Sequence, residues 1–374
     1  MRIGFDAKRA FFNRSGLGNY SRWYIDALTK LHPEHEYVLY KLRDEKGIDF
    51  KGLQNSEVVL PRGILDKKLP SIWRANRMTK DIDRQKLDIY HGLSHELPVG
   101  ISKTKATSVV TMHDAIFMRF PELYDRIYRA IFKRKYAYAL KHADGIIAIS
   151  QQSKDDIVQY FGTDPDRIKI IYQGCNQIYY SDASSEIKAQ VRKKYNLPES
   201  FILYVGTIEP RKNLLGVFQA LAFANIDMPV VAVGRATNYL NTIKKFVTDN
   251  NLDSKAIFLH NVETEELPAM YQMATAFTYP SLFEGFGIPI LESLNSGTPV
   301  ITSKGSCFPE VGGAAAKYAE YGNIEELGSI LKTVISDSQL REQMAQEGKQ
   351  QALKFREEQV TQELLNYYQE VLSR

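Results

Sequence analysis

The feature that most constrains this chain is a rhythm that runs through it twice. A short β-branched or apolar run is followed by a longer helical pattern, over and over. "RIGFD" (2–6), "EYVLY" (36–40), "DIYHG" (88–92), "TSVVTMHD" (107–114), "GIIAIS" (145–150) and "IKIIYQG" (168–174) have the make-up of strands, with helical patterns such as 18–31 and 126–142 between them. A polar stretch, "NQIYYSDASSEIKAQ" (176–190), interrupts the rhythm. It resumes with "FILYVGT" (201–207), "PVVAVG" (229–234), "AIFLH" (256–260), "AFTYP" (276–280) and "PVITS" (299–303), again separated by helical patterns. Strands alternating with helices predict a doubly wound parallel sheet, because each crossover returns over a sheet face. The expectation is therefore α/β, with two Rossmann-like domains at 1–180 and 190–355. The helix at about 356–374 is expected to pack back on the first. Open α/β sheets bind ligands at the carboxyl ends of their strands, so two such domains are expected to hold a substrate in a cleft between them.

Composition agrees with two full cores. The 374 residues are 44% hydrophobic and 25% charged, and at roughly 100–200 residues per domain two domains are the natural count. No apolar run approaches the ~18 residues that a membrane span needs. The opening "MRIGFDAKRAFF" has no sustained apolar run, so no secretory signal is expected. Two cysteines, Cys175 and Cys307, make neither a disulfide framework nor a metal cluster; a reducing cytoplasm fits best. Charge is uneven. Residues 1–175 carry 30 Lys+Arg and 21 Asp+Glu, the remainder 18 and 23. A basic first half suits an anionic partner, whether nucleic acid, lipid surface or phosphate-bearing substrate, and is also what a plain solvated surface looks like.

Several stretches have chemistry to offer. "GLGNYSR" (16–22) is a glycine turn opening a helix, whose N–H groups at Gly16 and Gly18 can approach a phosphate. It is not a dinucleotide fingerprint, since Ser21 takes the third glycine's place. "GTIEPRKN" (206–213) puts Arg211 and Lys212 at a strand's carboxyl end beside a helix start. Cations there oppose the helix dipole and need a reason; a bound diphosphate supplies one. "TMHDAIF" (111–117) ends an apolar strand at His113. In "HGLSHE" (91–96), His91 and His95 are four apart, but the glycine favours a loop over a helix-borne metal site, and no metal is expected. In "LFEGFGIPILE" (282–292), Gly285 and Gly287 let backbone come close to a ligand. Pro289 fits a first helical turn, and Glu292, placed in that turn, is accounted for by the dipole alone. Glu284, ahead of a glycine loop and between apolar residues, is not.

With these pieces in this order, the chain resembles glycosyltransferase family 4, retaining enzymes of the GT-B fold, over essentially its whole length. The Glu284–Glu292 pair, separated by seven residues, is the most specific element. "GTIEPRKN" and "HDAIF" are most similar to mannosyltransferase-like members that build bacterial surface polysaccharides. The resemblance implies that Arg211 and Lys212 bind the donor diphosphate, Glu284 the hydroxyls of the donor sugar and Glu292 the ribose. It implies that the backbone of Gly285, Phe286, Gly287 and Ile288 meets sugar and phosphate. Gly16 and Gly18 would approach the diphosphate from the other domain, His113 would sit near the reacting centre, and Val262 near the nucleobase. One departure is Thr207, where many relatives carry a second arginine, so that phosphate binding rests more on Arg211 and Lys212.

The implied reaction moves a hexose, mannose favoured and GDP-mannose the expected donor, to a glycan or lipid-linked acceptor with retained configuration. No cofactor is expected. Double displacement needs a carboxylate nucleophile, and none can be assigned; a front-face route resting on positioning and electrostatics remains. The helix 125–143, with its Ile127/Ile131 and Tyr128/Phe132/Tyr136 face, together with Lys67, Lys68, Arg74 and Arg77, suits an anionic membrane surface; its aromatic face equally suits a core. Alternatives are a UDP-sugar-dependent transferase, an epimerase on the same fold, a catalytically silent partner subunit and, without any zinc-finger or RNA-binding motif to support it, a nucleic-acid-binding protein.

Overall fold

A computed structural model describes all 374 residues. The chain forms two compact units. One comprises Met1–Gly174 with Phe355–Arg374, the other Cys175–Lys354.

The first unit is built on a seven-stranded, all-parallel sheet. Its strands are β1 (Arg2–Asp6), β2 (Glu36–Tyr40), β3 (Ser56–Val59), β4 (Ile89–Gly92), β5 (Thr107–Met112), β6 (Gly145–Ala148) and β7 (Ile168–Ile170), in the order 3-2-1-4-5-6-7. Every residue of β4 and β6 is buried. That burial explains why "GIIA" is a continuous apolar run and not an alternating one: helices cover both faces of a parallel sheet. The order reverses between β1 and β4, so the carboxyl ends of these two strands border the crevice where such sheets bind ligands.

The helix Arg126–His142 shows how one element divides its duties. Tyr136 is 2% exposed and belongs to the core, with Phe132 packed against it, so these two residues of the aromatic face expected to rest on lipid are core, while Tyr128 is exposed. Ile127 and Ile131, by contrast, are 71% and 48% exposed. Arg74, expected among the lipid-facing cations, is instead buried between Asp6 and Glu96. Arg77 is paired with Asp66 at 3.0 Å. The C-terminal helix Glu357–Leu372 packs on this unit through a buried face. The Tyr367 hydroxyl accepts the N–H of Ile146 at 2.9 Å, and the Tyr368 hydroxyl meets His91 Nδ1 at 2.6 Å.

The second unit has a six-stranded parallel sheet: β8 (Ile202–Val205), β9 (Val230–Val233), β10 (Ala256–Leu259), β11 (Ala276–Tyr279), β12 (Val300–Ser303) and β13 (Ala316–Ala319), ordered 10-9-8-11-12-13. The reversal falls between β8 and β11. The segments that leave the carboxyl ends of these strands are 206–213 and 280–288, the two stretches singled out by their charges and glycines.

Candidate active site

The loop after β8 is shaped by glycine. A Cβ on Gly234 would lie 1.9 Å from the Gly206 carbonyl oxygen, so the ends of β8 and β9 close on each other only without side chains there. The chain then makes a single turn of 3₁₀ helix, Pro210–Lys212. Asn213, at φ 54°, starts the helix Leu214–Ala224 and caps it by accepting the Gly216 N–H at 3.2 Å. This turn directs Arg211 and Lys212 towards the loop after β11.

That loop carries Glu284, and four donors converge on one of its oxygens. Oε1 is 2.8 Å from Arg211 Nη1 and 3.4 Å from Lys212 Nζ; it accepts the hydroxyls of Tyr279 at 2.7 Å and Ser281 at 3.2 Å. No hydrogen bond is made to Oε2. Burial pushes the carboxyl up, but Lys212 and Arg211 outweigh it and hold its pKa down at about 2. Tyr279 is the hinge of the network: its hydroxyl also accepts from Lys212 Nζ at 2.6 Å. Arg211 reaches Glu209 at 2.6 Å as well, and its two carboxylate neighbours more than offset the effect of burial on the guanidinium.

The glycine loop that follows is pinned from behind. Ser306 Oγ donates to the Glu284 carbonyl at 2.8 Å and accepts its N–H at 3.2 Å. The buried Cys307 thiol lies 2.9 Å from the Phe286 carbonyl. Gly287, at φ 100°, is the residue before the helix Ile288–Asn295. The helix begins one residue before Pro289, which corrects the placement of Glu292. It is the fifth helical residue, with no acidic group in the first turn, so the dipole does not account for it. Its partner is the Tyr271 hydroxyl, 3.0 Å from Oε2, and Tyr179 bonds to the same carboxylate. Burial raises its pKa to about 7, with the two tyrosines pulling the other way.

The structure thus brings Arg211, Lys212, Glu284 and the Gly285–Ile288 loop into one site at the switch point of the second sheet. Glu292 lies on the helix leaving that loop. Val262 is half-buried in the loop after β10. Thr207 keeps its backbone carbonyl near the Tyr204 hydroxyl, at 3.5 Å. Sequence reasoning missed Tyr279, Ser281 and Glu209, as well as Tyr271 and Tyr179. The first three sit beside recognised motifs, but a tyrosine ending an apolar strand carries no signal of where its hydroxyl points.

Gly16, Gly18 and His113 belong to the first unit. Gly16 is exposed and begins the helix Gly16–Leu31, with open space where a Cβ would go. Gly18 lies inside the helix, where a Cβ would stand 1.8 Å from the Asn13 carbonyl. Packing alone therefore demands glycine there. His113, at the end of β5, is buried and neutral. Its Nε2 lies 2.8 Å from the Leu93 carbonyl, a bond only a protonated nitrogen can make, and burial lowers its pKa to about 4. Its backbone N–H donates to His95 Nδ1 at 3.2 Å. His91, buried nearby, is held by Tyr368 and by Thr111 Oγ1 at 2.8 Å.

Two family profiles match the chain, "Glycosyltransferase Family 4" over residues 15–177 and "Glycosyl transferases group 1" over residues 187–351. The O-antigen chain mannosyltransferase B of Escherichia coli is 30% identical over 285 residues, 75% of this chain and 74% of that protein. The O-antigen chain mannosyltransferase RfbU of Salmonella typhimurium is 28% identical over 264 residues, 71% and 69% of the two chains. Among solved structures, Anabaena HepE in complex with UDP and glucose superimposes with a TM-score of 0.77 at 20% identity, covering 99% of this chain and 100% of its own. Sucrose-phosphate synthase from Thermosynechococcus elongatus gives 0.77 at 17%, covering 100% and 99%. At these identities the structural likeness shows the fold.

Proposed function

The chain belongs to family 4 of the glycosyltransferases and is a hexosyltransferase, and on that premise we propose that it transfers mannose from GDP-mannose to a hydroxyl of a glycan or lipid-linked acceptor in surface-polysaccharide synthesis. The mannosyl donor and the polysaccharide product come from the relatives: both O-antigen enzymes above are mannosyltransferases.

One observation carries the site assignment. Glu284 is ionised, with Oε1 accepting the hydroxyls of Tyr279 and Ser281 and standing beside Arg211 and Lys212, while no hydrogen bond reaches Oε2. A carboxylate fixed in this way presents one acceptor of set direction, which is what recognition of a sugar hydroxyl needs. The same contacts make it a poor nucleophile, and this favours a front-face, retaining route. In that route the departing diphosphate accepts the acceptor's proton. Arg211 and Lys212 would stabilise its charge, exchanging part of their contact with Glu209 and Tyr279 for phosphate. Glu292 would take the ribose, the Gly285–Ile288 backbone the sugar and phosphate, and Val262 would lie by the base. The cationic pair supplies the charge stabilisation that a divalent ion would otherwise provide.

The working place would be the cytoplasmic face of a membrane. No helix is long and apolar enough to cross one. The first unit nevertheless exposes Ile64, Leu65, Leu69 and Ile72, at 45–79%, beside Lys67 and Lys68, together with Ile127 and Ile131 beside Arg126 and Arg129. Apolar side chains mixed with cations suit an anionic bilayer.

A thermal-shift and hydrolysis screen across GDP-, UDP-, ADP- and dTDP-sugars tests the proposal. GDP-mannose should stabilise the protein most and be turned over in 1 mM EDTA, a concentration on the order of those that strip exchangeable metal. Stabilisation only by UDP-sugars would replace the donor. Interconversion of free nucleotide sugars without acceptor would replace the transferase reaction.

A further inference from the structure

Residues 304–307 join β12 to the helix Phe308–Gly312. Two of them in succession are left-handed, Gly305 at φ 80° and Ser306 at φ 50°. Glycine takes that conformation freely, whereas a residue with a side chain is strained in it. Of the seven non-glycine residues with positive φ, four are asparagines, whose short amide tolerates it best. Ser306 lacks that amide, and strain kept at one residue points to a use for it.

The hydroxyl shows the use. It meets both main-chain groups of Glu284, donating to the carbonyl at 2.8 Å and accepting the N–H at 3.2 Å. Cys307 continues the contact. Its side chain is fully buried, and Sγ lies 3.2 Å from the Glu284 carbonyl and 2.9 Å from that of Phe286. Phe308 follows, buried, with its ring edge-on to Tyr279 at 6.5 Å. Three consecutive side chains therefore back both the glycine loop and the tyrosine that holds the Glu284 carboxylate.

Peptide geometry carries this contact through the loop. Each peptide unit is planar and trans, so its N–H is directed opposite to its carbonyl. The carbonyls of Glu284 and Phe286 are drawn towards Ser306 and Cys307, which turns the N–H groups of Gly285 and Gly287 the other way. Two main-chain donors facing one side of a loop, just ahead of the helix Ile288–Asn295, suit an anion.

We propose that Ser306 and Cys307 are positioning residues for donor binding. Ser306 sets the direction of the Glu284 carboxylate, and Cys307 sets that of the amides facing the diphosphate. The proposal rests on the function proposed above and extends it to two side chains that touch neither sugar nor phosphate.

Paired substitutions in the full-length protein separate positioning from packing. Ser306→Gly removes the hydroxyl and the strain together, so its melting temperature should stay within about 2 °C of wild type. Its hydrolytic turnover of GDP-mannose should nevertheless fall on the order of tenfold. Ser306→Thr keeps the hydroxyl but puts a β-branched side chain at positive φ. It should melt several degrees lower and yet recover turnover to within roughly threefold of wild type. Cys307→Ala should weaken GDP binding about fivefold by calorimetry, and Cys307→Ser, which restores a donor to the two carbonyls, should recover most of the loss. Turnover that follows melting temperature, with Ser306→Gly near wild type and Ser306→Thr the poorer, overturns the role of Ser306. Equal GDP affinity in the two Cys307 variants overturns that of Cys307. Hydrogen exchange of the ligand-free protein reads the pin without any donor: peptides covering 283–287 should exchange faster in Ser306→Gly and Cys307→Ala, with protection elsewhere unchanged. Unaltered exchange there also overturns the proposal. Faster exchange in a protein whose wild type binds no nucleoside diphosphate contradicts the proposed function, while the pin on Glu284 stands.

Discussion

The hydroxyl of Tyr279 stands 2.7 Å from Oε1 of Glu284 and joins that carboxylate to Lys212, whose ammonium it accepts at 2.6 Å. A sheet residue with no catalytic signature thus holds the two charged loops of the site in register.

Tyr279→Phe removes only that oxygen. The ring stays in its apolar surroundings, while Lys212 and Glu284 keep a direct but longer 3.4 Å contact. Loss of two buried, charge-assisted hydrogen bonds, each worth about 1.5–3 kcal/mol, should lower stability by at least that much, measured by urea unfolding. Turnover should fall on the order of tenfold as Glu284 loses its orientation. Unchanged kcat and unchanged stability together would show that the link is idle.

Tyr279 marks the boundary between what the sequence displays and what it hides. Eleven strands are legible as apolar runs, most of them because parallel strands buried on both faces cannot alternate; the edge strands Ile168–Ile170 and Ala256–Leu259 are legible although only partly buried. The two that escape, Ser56–Val59 and Ala316–Ala319, are edge strands carrying polar side chains, Glu57 and Lys317 among them. Arg211, Lys212 and Glu284 are visible because charges and glycines stand out against apolar strands. Tyr279, Tyr271 and Tyr179 are not, because a buried tyrosine reads as core until its hydroxyl is located. Arg74 misleads for the converse reason: its partners Asp6 and Glu96 are distant in sequence, so it looks like surface.

Glu292 should make both stability and donor binding depend on pH. Its folded pKa of about 7 lies above the ordinary 4.5, so the folded chain holds a proton that the unfolded chain has released. Stability is therefore fully present below pH 4.5 and declines as pH rises through 7. Glu292→Gln should remove this slope and stabilise the protein at pH 8 by about 1–3 kcal/mol, measured by denaturant unfolding at pH 5 and pH 8. Donor KM should move the opposite way, rising as pH falls from 8 to 6 and Glu292 loses its charge. In the glutamine variant, KM should be high and flat. A wild-type donor KM independent of pH across this range would remove Glu292 from the ribose site.

Membrane attachment should depend on the exposed side chains and not on the buried ones. Binding to phosphatidylglycerol vesicles, followed by sedimentation, should weaken as salt rises from 50 to 500 mM, a range over which the Debye length shrinks from roughly 14 to 4 Å. Ile64→Ser with Leu65→Ser, and separately Lys133→Glu with Arg134→Glu, should each reduce it several-fold. Binding indifferent to salt and to both pairs would place the apolar surface in some other role.

Glu284 Oε2 is the proposed acceptor of a donor-sugar hydroxyl, and the affinities of Glu284→Gln for GDP and GDP-mannose test that role most directly. The substitution keeps the shape, removes the anion and leaves Arg211 and Lys212 more fully available to a diphosphate. GDP affinity should be undiminished. GDP-mannose should lose the equivalent of one charged hydrogen bond, roughly 1.5–3 kcal/mol, or about tenfold to a hundredfold in Kd by calorimetry. Equal changes for the two ligands would mean that Glu284 serves the phosphates or the fold and never meets the sugar.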